Sequence, residues 1–166
     1  MNASEKIRED ARRAGLCDQH YTAWKPEWTI PQLIDYFLQN PNWCMKNHFP
    51  PVETFLKYGN TNEVRNKGVF VDGAVTARAL LPTYVFMKCA VGMLVNRVCS
   101  MYFRDGCKAK VIAENGAILS VSVYDSSEVE VETRGTGKAM VYQYGDVQPI
   151  LNGNNIKFRK KSVTPV

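Results

Sequence analysis

GCKAKVIAEN (residues 106–115), GAILSVSVYD (116–125), SSEVEVETRG (126–135) and TGKAMVYQYG (136–145) are four consecutive blocks of ten residues. The fourth and sixth places of each are apolar: Ala109 and Val111, Leu119 and Val121, Val129 and Val131, Ala139 and Val141. Each block ends in a turn signal: Asn115-Gly116, Asp125-Ser126, Gly135-Thr136 and Gly145-Asp146. Alternation at period two marks strands with one buried face, and a fixed repeat of this kind marks a stacked architecture.

Extended towards the N-terminus, the same frame places Val69 and Val71, Ala79 and Leu81, Cys89 and Val91, and Cys99 and Met101 at the inward positions. About eight blocks then share one inward pair. In the late blocks the outward places are polar: Lys108, Lys110, Ser120, Ser122, Glu128, Glu130 and Glu132. In the early ones they are apolar: Phe70, Leu80, Ala90 and Leu94. A strand apolar on both faces is covered on both faces.

Two architectures fit this period. In a β-solenoid two blocks make one coil, so residues twenty apart stack, and Lys108 falls beside Glu128 and Lys110 beside Glu130. In an antiparallel meander each block is one strand of a hairpin, which the Asn-Gly turns suit. A meander keeps one parity inward only if every loop has odd length. The solenoid is therefore the preferred expectation, within an α+β chain that carries a helical module ahead of it.

That module is residues 1–60. Ser4 and Glu5 open a helix with Ile7 and Ala11 on its apolar face, and Gly15 stops it. Thr29-Ile30-Pro31 opens a second helix carrying Leu33, Ile34, Phe37 and Leu38, and Asn40-Pro41 ends it. Pro50-Pro51 starts a third with Val52, Phe55 and Leu56 inward and Gly59 as its stop. Residues 17–28 and 42–49 read as connectors, and NTNEVRNK (60–67) reads as a polar linker. The expected organisation is a helical module over 1–60, a decapeptide-repeat β domain over 66–158 and a basic tail over 159–166. Leu33, Ile34, Phe37, Leu38, Phe55 and Leu56 offer a face to cover the early blocks; self-association of the chain through Phe70 and Leu80, a homo-oligomer, is the other way to seal them.

With 166 residues, 45% of them hydrophobic and 22% charged, the chain is long enough to bury a core without covalent staples. MNASEKIREDARR lacks the apolar segment of a secretory signal, and the most apolar run, Ala79 to Val95, is broken by Pro82 and Lys88. No membrane partner is expected. Five cysteines in no close framework suit reduced thiols and a cytoplasmic setting.

The chemistry carried by the sequence is sparse. Arg134-Gly135-Thr136-Gly137 does not match a phosphate loop and sits in a repeat turn. Glu128, Glu130 and Glu132 read as a solvated face. Cys17-x-x-His20 and Cys44-x-x-x-His48 have the spacing of a zinc site, but buried cysteines beside incidental histidines account for the same residues, and no zinc or other cofactor is expected. A Cys–His nucleophile lacks a recognisable orienting third group. No catalytic residue emerges. Trp24, Trp28 and Trp43, all in the helical module, are either core or an aromatic recognition surface. The net charge is +5, and Lys157, Arg159, Lys160 and Lys161 supply much of it; such a cluster can meet phosphates or simply keep the chain soluble.

NPNWCMKNHFP (40–50), GVFVDG (68–73), the short D/N-G-x-V-x-V repeats and IKFRKK (156–161) together resemble a group of uncharacterised small repeat-containing proteins of Bacteroides-type gut bacteria and their phages or mobile elements. The resemblance implies a cytoplasmic or virion-associated setting and brings no catalytic residue to any position here. The reading that follows is a non-enzymatic structural or protein-interaction scaffold with a protein partner. The alternative is a nucleic-acid-associated accessory or anti-defence protein acting through the C-terminal cations.

Overall fold

The computed structural model describes residues 1–162. Two compact units make up the chain, one over Met1–Lys67 and one beginning at Gly68.

The first unit is helical: α1 (Ala3–Arg13), α2 (Asp18–Ala23), α3 (Ile30–Phe37), α4 (Pro41–Lys46), α5 (Val52–Tyr58) and α6 (Asn62–Asn66). The cap of α1 is Asn2 rather than Ser4: its side chain accepts from the Glu5 N–H while the Glu5 carboxylate accepts from the Asn2 N–H, a reciprocal capping box. Thr29 caps α3 in the same way with Gln32. Three short helices occupy stretches that read as connectors or linker. Helices of five or six residues hold too few apolar positions to announce a period, and their stability comes from packing. Residues 60–67 are thus not a free linker; α6 is capped by Thr61, and Lys67 Nζ pairs with Asp35 of α3 at 2.7 Å. Ile7, Ala11, Trp24, Leu33, Cys44 and Phe49 form the core of this unit. Phe55 is buried as expected, whereas Leu56 is 38% exposed.

The second unit is a β-solenoid of about five coils. Sheet 1 runs in the order β1 (Val69–Val71), β3 (Thr83–Met87), β5 (Val98–Arg104), β7 (Ile118–Val123), β9 (Lys138–Gln143), β11 (Ile156–Lys160). Sheet 2 runs β10 (Ile150–Asn152), β8 (Glu128–Thr133), β6 (Lys108–Ala113), β4 (Ala90–Val95), β2 (Ala74–Arg78). Every pairing is parallel, which excludes the meander. Chain order alternates between the sheets, so each coil gives one strand to each. The inward residues of both sheets meet in one continuous core that includes Met101, Phe103, Val111, Leu119, Val121, Val129, Val131 and Val141.

The twenty-residue step holds through the middle coils, where Lys108 pairs with Glu128, Ile118 with Lys138 and Glu130 with Ile150, and it shortens at the last strand, where Ala139 pairs with Ile156. In the middle coils Lys110 Nζ lies 3.6 Å from Glu130 and 3.7 Å from Glu132. The early coils are shorter, and the exact decapeptide frame does not extend through them. Val69 pairs with Val85, Thr83 with Ser100 and Ala90 with Lys108. The step from Thr83 to Ser100 is odd, so parity inverts across it. Phe70, expected outward, is therefore an inward residue, stacked on Phe86 at 5.5 Å, and Phe86 stacks on Phe103 at 5.2 Å. Val69 and Val71 take the other face. Ala79, Leu81 and Cys89 lie in corners between strands and still pack against the core.

The corners are tied from coil to coil by side chains. The Asp125 carboxylate accepts from the backbone N–H of Asp105 at 2.9 Å, Ser127 Oγ accepts from that of Cys107 at 3.1 Å, and Asn115 Oδ1 accepts from that of Thr136 at 3.1 Å. These bonds satisfy backbone donors that turns would otherwise leave unpaired. Arg134 and Gly135 belong to such a corner, with the Arg134 guanidinium bonded back to Glu132 at 2.9 Å. That contact holds the Glu132 carboxyl below its ordinary range. Glu130 and Glu132 are engaged in ion pairs on the outer face of sheet 2.

Arg159 and Lys160, assigned to a tail by the sequence, belong to β11; alternation with Ile156 and Phe158 lets this charged segment pair with β9 through its backbone. Residues 163–166 of the expected tail lie outside the described residues. No helix among the described residues is long and apolar enough to cross a membrane.

Candidate functional site

Two places gather the residues singled out by the sequence, one in each unit.

In the helical unit a cavity of about 430 Å³ is lined by Cys17, His20, Trp24, Tyr36, Trp43 and Phe49 among others. Its walls are built by aromatic contacts. Trp24 is 2% exposed, its Nε1 donates to Ser4 Oγ at 3.2 Å, and it meets Phe37 edge-on at 5.4 Å. Phe49 meets Phe37 at 5.5 Å and Trp43 at 5.6 Å. Trp28 packs on Tyr36 at 5.3 Å. The three tryptophans thus line or buttress one small core, and Trp24 is too buried to be a surface contact.

Cys17 is exposed and is the residue immediately before α2. Its Sγ lies 2.9 Å from His20 Nδ1. The backbone N–H of His20, and then its ring, hold the Cys17 thiol below the ordinary cysteine range. The turn is anchored on both sides: Asp18 pairs with Arg12 of α1, and Tyr36 Oη of α3 donates to the His20 carbonyl at 3.0 Å. Cys44, buried on α4, lines the same cavity, so three of the four residues with zinc-like spacing face one space. Among the described residues no three of Cys17, His20, Cys44 and His48 bring ligand atoms within 4.8 Å of one another. His48 is exposed, has a positive φ of 49° and is not among the lining residues.

In the solenoid the outward face of sheet 1 carries columns set by the strand register. Val98, Ile118 and Lys138 form one column, and Ser100, Ser120, Met140 and Lys157 the next. Tyr102, Ser122, Tyr142 and Arg159 form a third. Val98 and Ile118 are 64% and 58% exposed although they sit in the middle of the sheet. A groove of about 530 Å³ lies beside Ile118, lined also by Lys138, Ala139, Met140, Asn155 and Lys157. Lys161 Nζ lies 5.7 Å from the centre of the Tyr142 ring. Lys157 and Arg159 point outward with this face, while Lys160 aligns with inward Gln143. The charges on β11 also discourage the open edge strand from pairing with another chain.

Alternation along β11 puts Lys157 and Arg159 on one side, which the reading of residues 159–166 as a tail misses. The exposed Val98–Ile118 pair was hidden because each is simply one apolar letter at the start of its strand. The cavity joins residues from α1, α2, α3 and α4 that no sequence spacing connects. Comparison with protein-family models, with curated proteins and with solved structures returns no match.

Proposed function

We propose that the chain is a non-enzymatic binding scaffold whose contact surface is the outward face of sheet 1. The observation that carries this reading is the pair of exposed apolar side chains in adjacent register, Val98 and Ile118, with half-buried Met140 in the neighbouring column and Lys138, Lys157 and Arg159 bordering them on the following strands. Exposed apolar side chains in adjacent register are costly unless a partner covers them. The bordering cations fit that partner's carboxylates. The partner is therefore an extended acidic protein segment with apolar anchors. The parallel ladder holds the coils about 4.8 Å apart, so the surface is rigid and little ordering is needed on this side. A phage or mobile-element complex is the setting that the resemblance suggests.

The test uses a fluorescein-labelled peptide of alternating Glu and Leu, with labelled oligothymidylate as the comparison, both read by anisotropy against the full-length protein. Peptide binding should be abolished by Ile118→Asp and weakened by Lys138→Glu, with melting temperatures unchanged. The same cations beside Tyr142 and Met140 also match a nucleic-acid strand, where bases stack on aromatic rings and phosphates meet lysines. Tight oligothymidylate binding that falls steeply with salt and ignores Ile118→Asp would replace the protein-segment reading. Absence of binding to either probe would remove this face as the contact surface.

A further inference from the structure

We propose that the helical unit is a covalent ligand site, in which the aromatic cavity seats a small aromatic molecule and presents its electrophilic carbon to Cys17 while His20 takes the thiol proton. This goes beyond the scaffold reading and does not depend on it, since it concerns a different unit and different residues. Three observations combine. The cavity, about 430 Å³, falls within the range of small-molecule sites, roughly 300–1,000 Å³. Its lining has the composition such sites use, with aromatic walls from Trp24, Tyr36, Trp43 and Phe49 and two polar side chains, Gln39 and Asn40, to orient a ligand. A nucleophile is already paired with a base where the ligand would lie, Sγ to Nδ1 at 2.9 Å.

The pair is held in place. Asp18 is fixed by Arg12, and the Tyr36 hydroxyl holds the His20 carbonyl, so α1 and α3 clamp the α2 turn between them. The groups interacting with the thiol are His20 and the Gln19 backbone on α2 and Tyr36 on α3, whose own ionisation burial and the neighbouring Cys17 suppress. The depressed Cys17 thiol supports the same conclusion. The remaining cysteines, Cys44, Cys89, Cys99 and Cys107, are buried, so only Cys17 combines exposure with a base. In the reaction the Cys17 sulfur forms a bond to a carbon bearing a leaving group. The bond from that carbon to the leaving group breaks, and the electron pair departs with it. The thiol proton passes to His20 Nδ1. One covalent event results, and no turnover is required.

The probe is N-benzyl-2-chloroacetamide, whose chloride is the leaving group, compared with 2-chloroacetamide on the full-length protein at neutral pH. Intact mass and peptide mapping give the rate and the site, each normalised to reaction with glutathione. Labelling should fall first on Cys17. The benzyl reagent should show saturation with concentration and exceed the parent reagent by at least about tenfold after normalisation, the gain expected when binding positions the reactants. N-benzylacetamide, which lacks the chloride, should slow the benzyl reagent and leave the parent unaffected. His20→Gln should slow both reagents with the melting temperature unchanged. A linear concentration dependence with a normalised ratio near one, as for a free cysteine, would overturn the proposal, as would first labelling at Cys44. The competition experiment needs no variant, so a misfolded substitution cannot obscure the result.

Discussion

Gly137 passes so close to Ala113 of the preceding coil that a Cβ at Gly137 would stand 2.3 Å from the Ala113 carbonyl oxygen. No side chain can swing away to relieve that contact, because the opposing atom is backbone in a strand. The corner therefore requires glycine for space. Gly137→Ala should lower stability by roughly 1–3 kcal/mol, the range for forced overpacking. Gly92, inside β4, is the control. A Cβ there would meet only Thr76 side-chain atoms, at 3.8 Å or more, and Gly92→Ala should be neutral or stabilising by up to about 1 kcal/mol. Urea denaturation of the two variants measures the contrast, and equal midpoints would show that the corner tolerates a Cβ.

Val121 and Ser120 are neighbours in β7 on opposite faces: Val121 is fully buried between Met101 and Val141, while Ser120 looks outward. Val121→Asp should cost about 3–5 kcal/mol, as an unpaired carboxylate in an apolar core does. Ser120→Asp should shift stability by no more than about 0.5 kcal/mol. Thermal melts followed by circular dichroism decide this, and coincident melts would contradict the assignment of faces.

Lys110 stands against Glu130 and Glu132 on the outside of sheet 2. Lys110→Glu would set three carboxylates together and should destabilise the solenoid by about 0.5–1 kcal/mol in low salt. The penalty should shrink in molar sodium chloride because these groups are partly exposed and screened. A penalty that does not respond to salt would indicate lost packing of the lysine stem instead.

Burial pushes the Cys99 thiol up to about 11 and the Cys107 thiol up to about 12, and raises the Tyr124 hydroxyl as well. In the unfolded chain these groups ionise near their ordinary values, about 8.5 for a thiol and about 10 for tyrosine. A folded-state pKa raised in this way stabilises the fold fully below the unfolded value, and that contribution is lost as pH rises towards the folded one. Stability should therefore be flat from pH 7 to about 8.5 and decline above it. Guanidinium midpoints measured across that range, with Cys107→Ala flattening the alkaline slope, check the sign; an unchanged slope in Cys107→Ala would assign the decline elsewhere.

The solenoid was legible in the sequence wherever the repeat is exact. Val121, Val131 and Val141 sit ten residues apart, and Lys108 and Glu128 twenty apart, so period and charge together select parallel stacking. In the early coils the same argument overreached. Phe70 and Val69 are both apolar, and letters alone cannot report an odd step such as that from Thr83 to Ser100. Only the ladder of backbone hydrogen bonds sets how many residues each corner takes up, and hence which side chain turns inward. The tail suffered from the opposite bias: charge suggested solvent, yet a strand pairs through its backbone whatever its side chains carry.

The site followed the same division. Sequence placed Cys17 three residues from His20, a spacing that one helical turn closes, so their encounter was readable locally. It could not place Trp43, Cys44 or Phe49 around them. Those residues reach the cavity only because α1, α3 and α4 pack on a shared core, and such contacts depend on helix orientation, which no local period encodes. By itself, then, the sequence determined the repeat and the faces of the late strands, whereas Cys17, read as one of two buried cysteines beside incidental histidines, is exposed and paired with His20. Tertiary packing decided the parity of the early coils, the exposed Val98–Ile118 pair and the aromatic cavity, because each depends on contacts between segments distant in the chain.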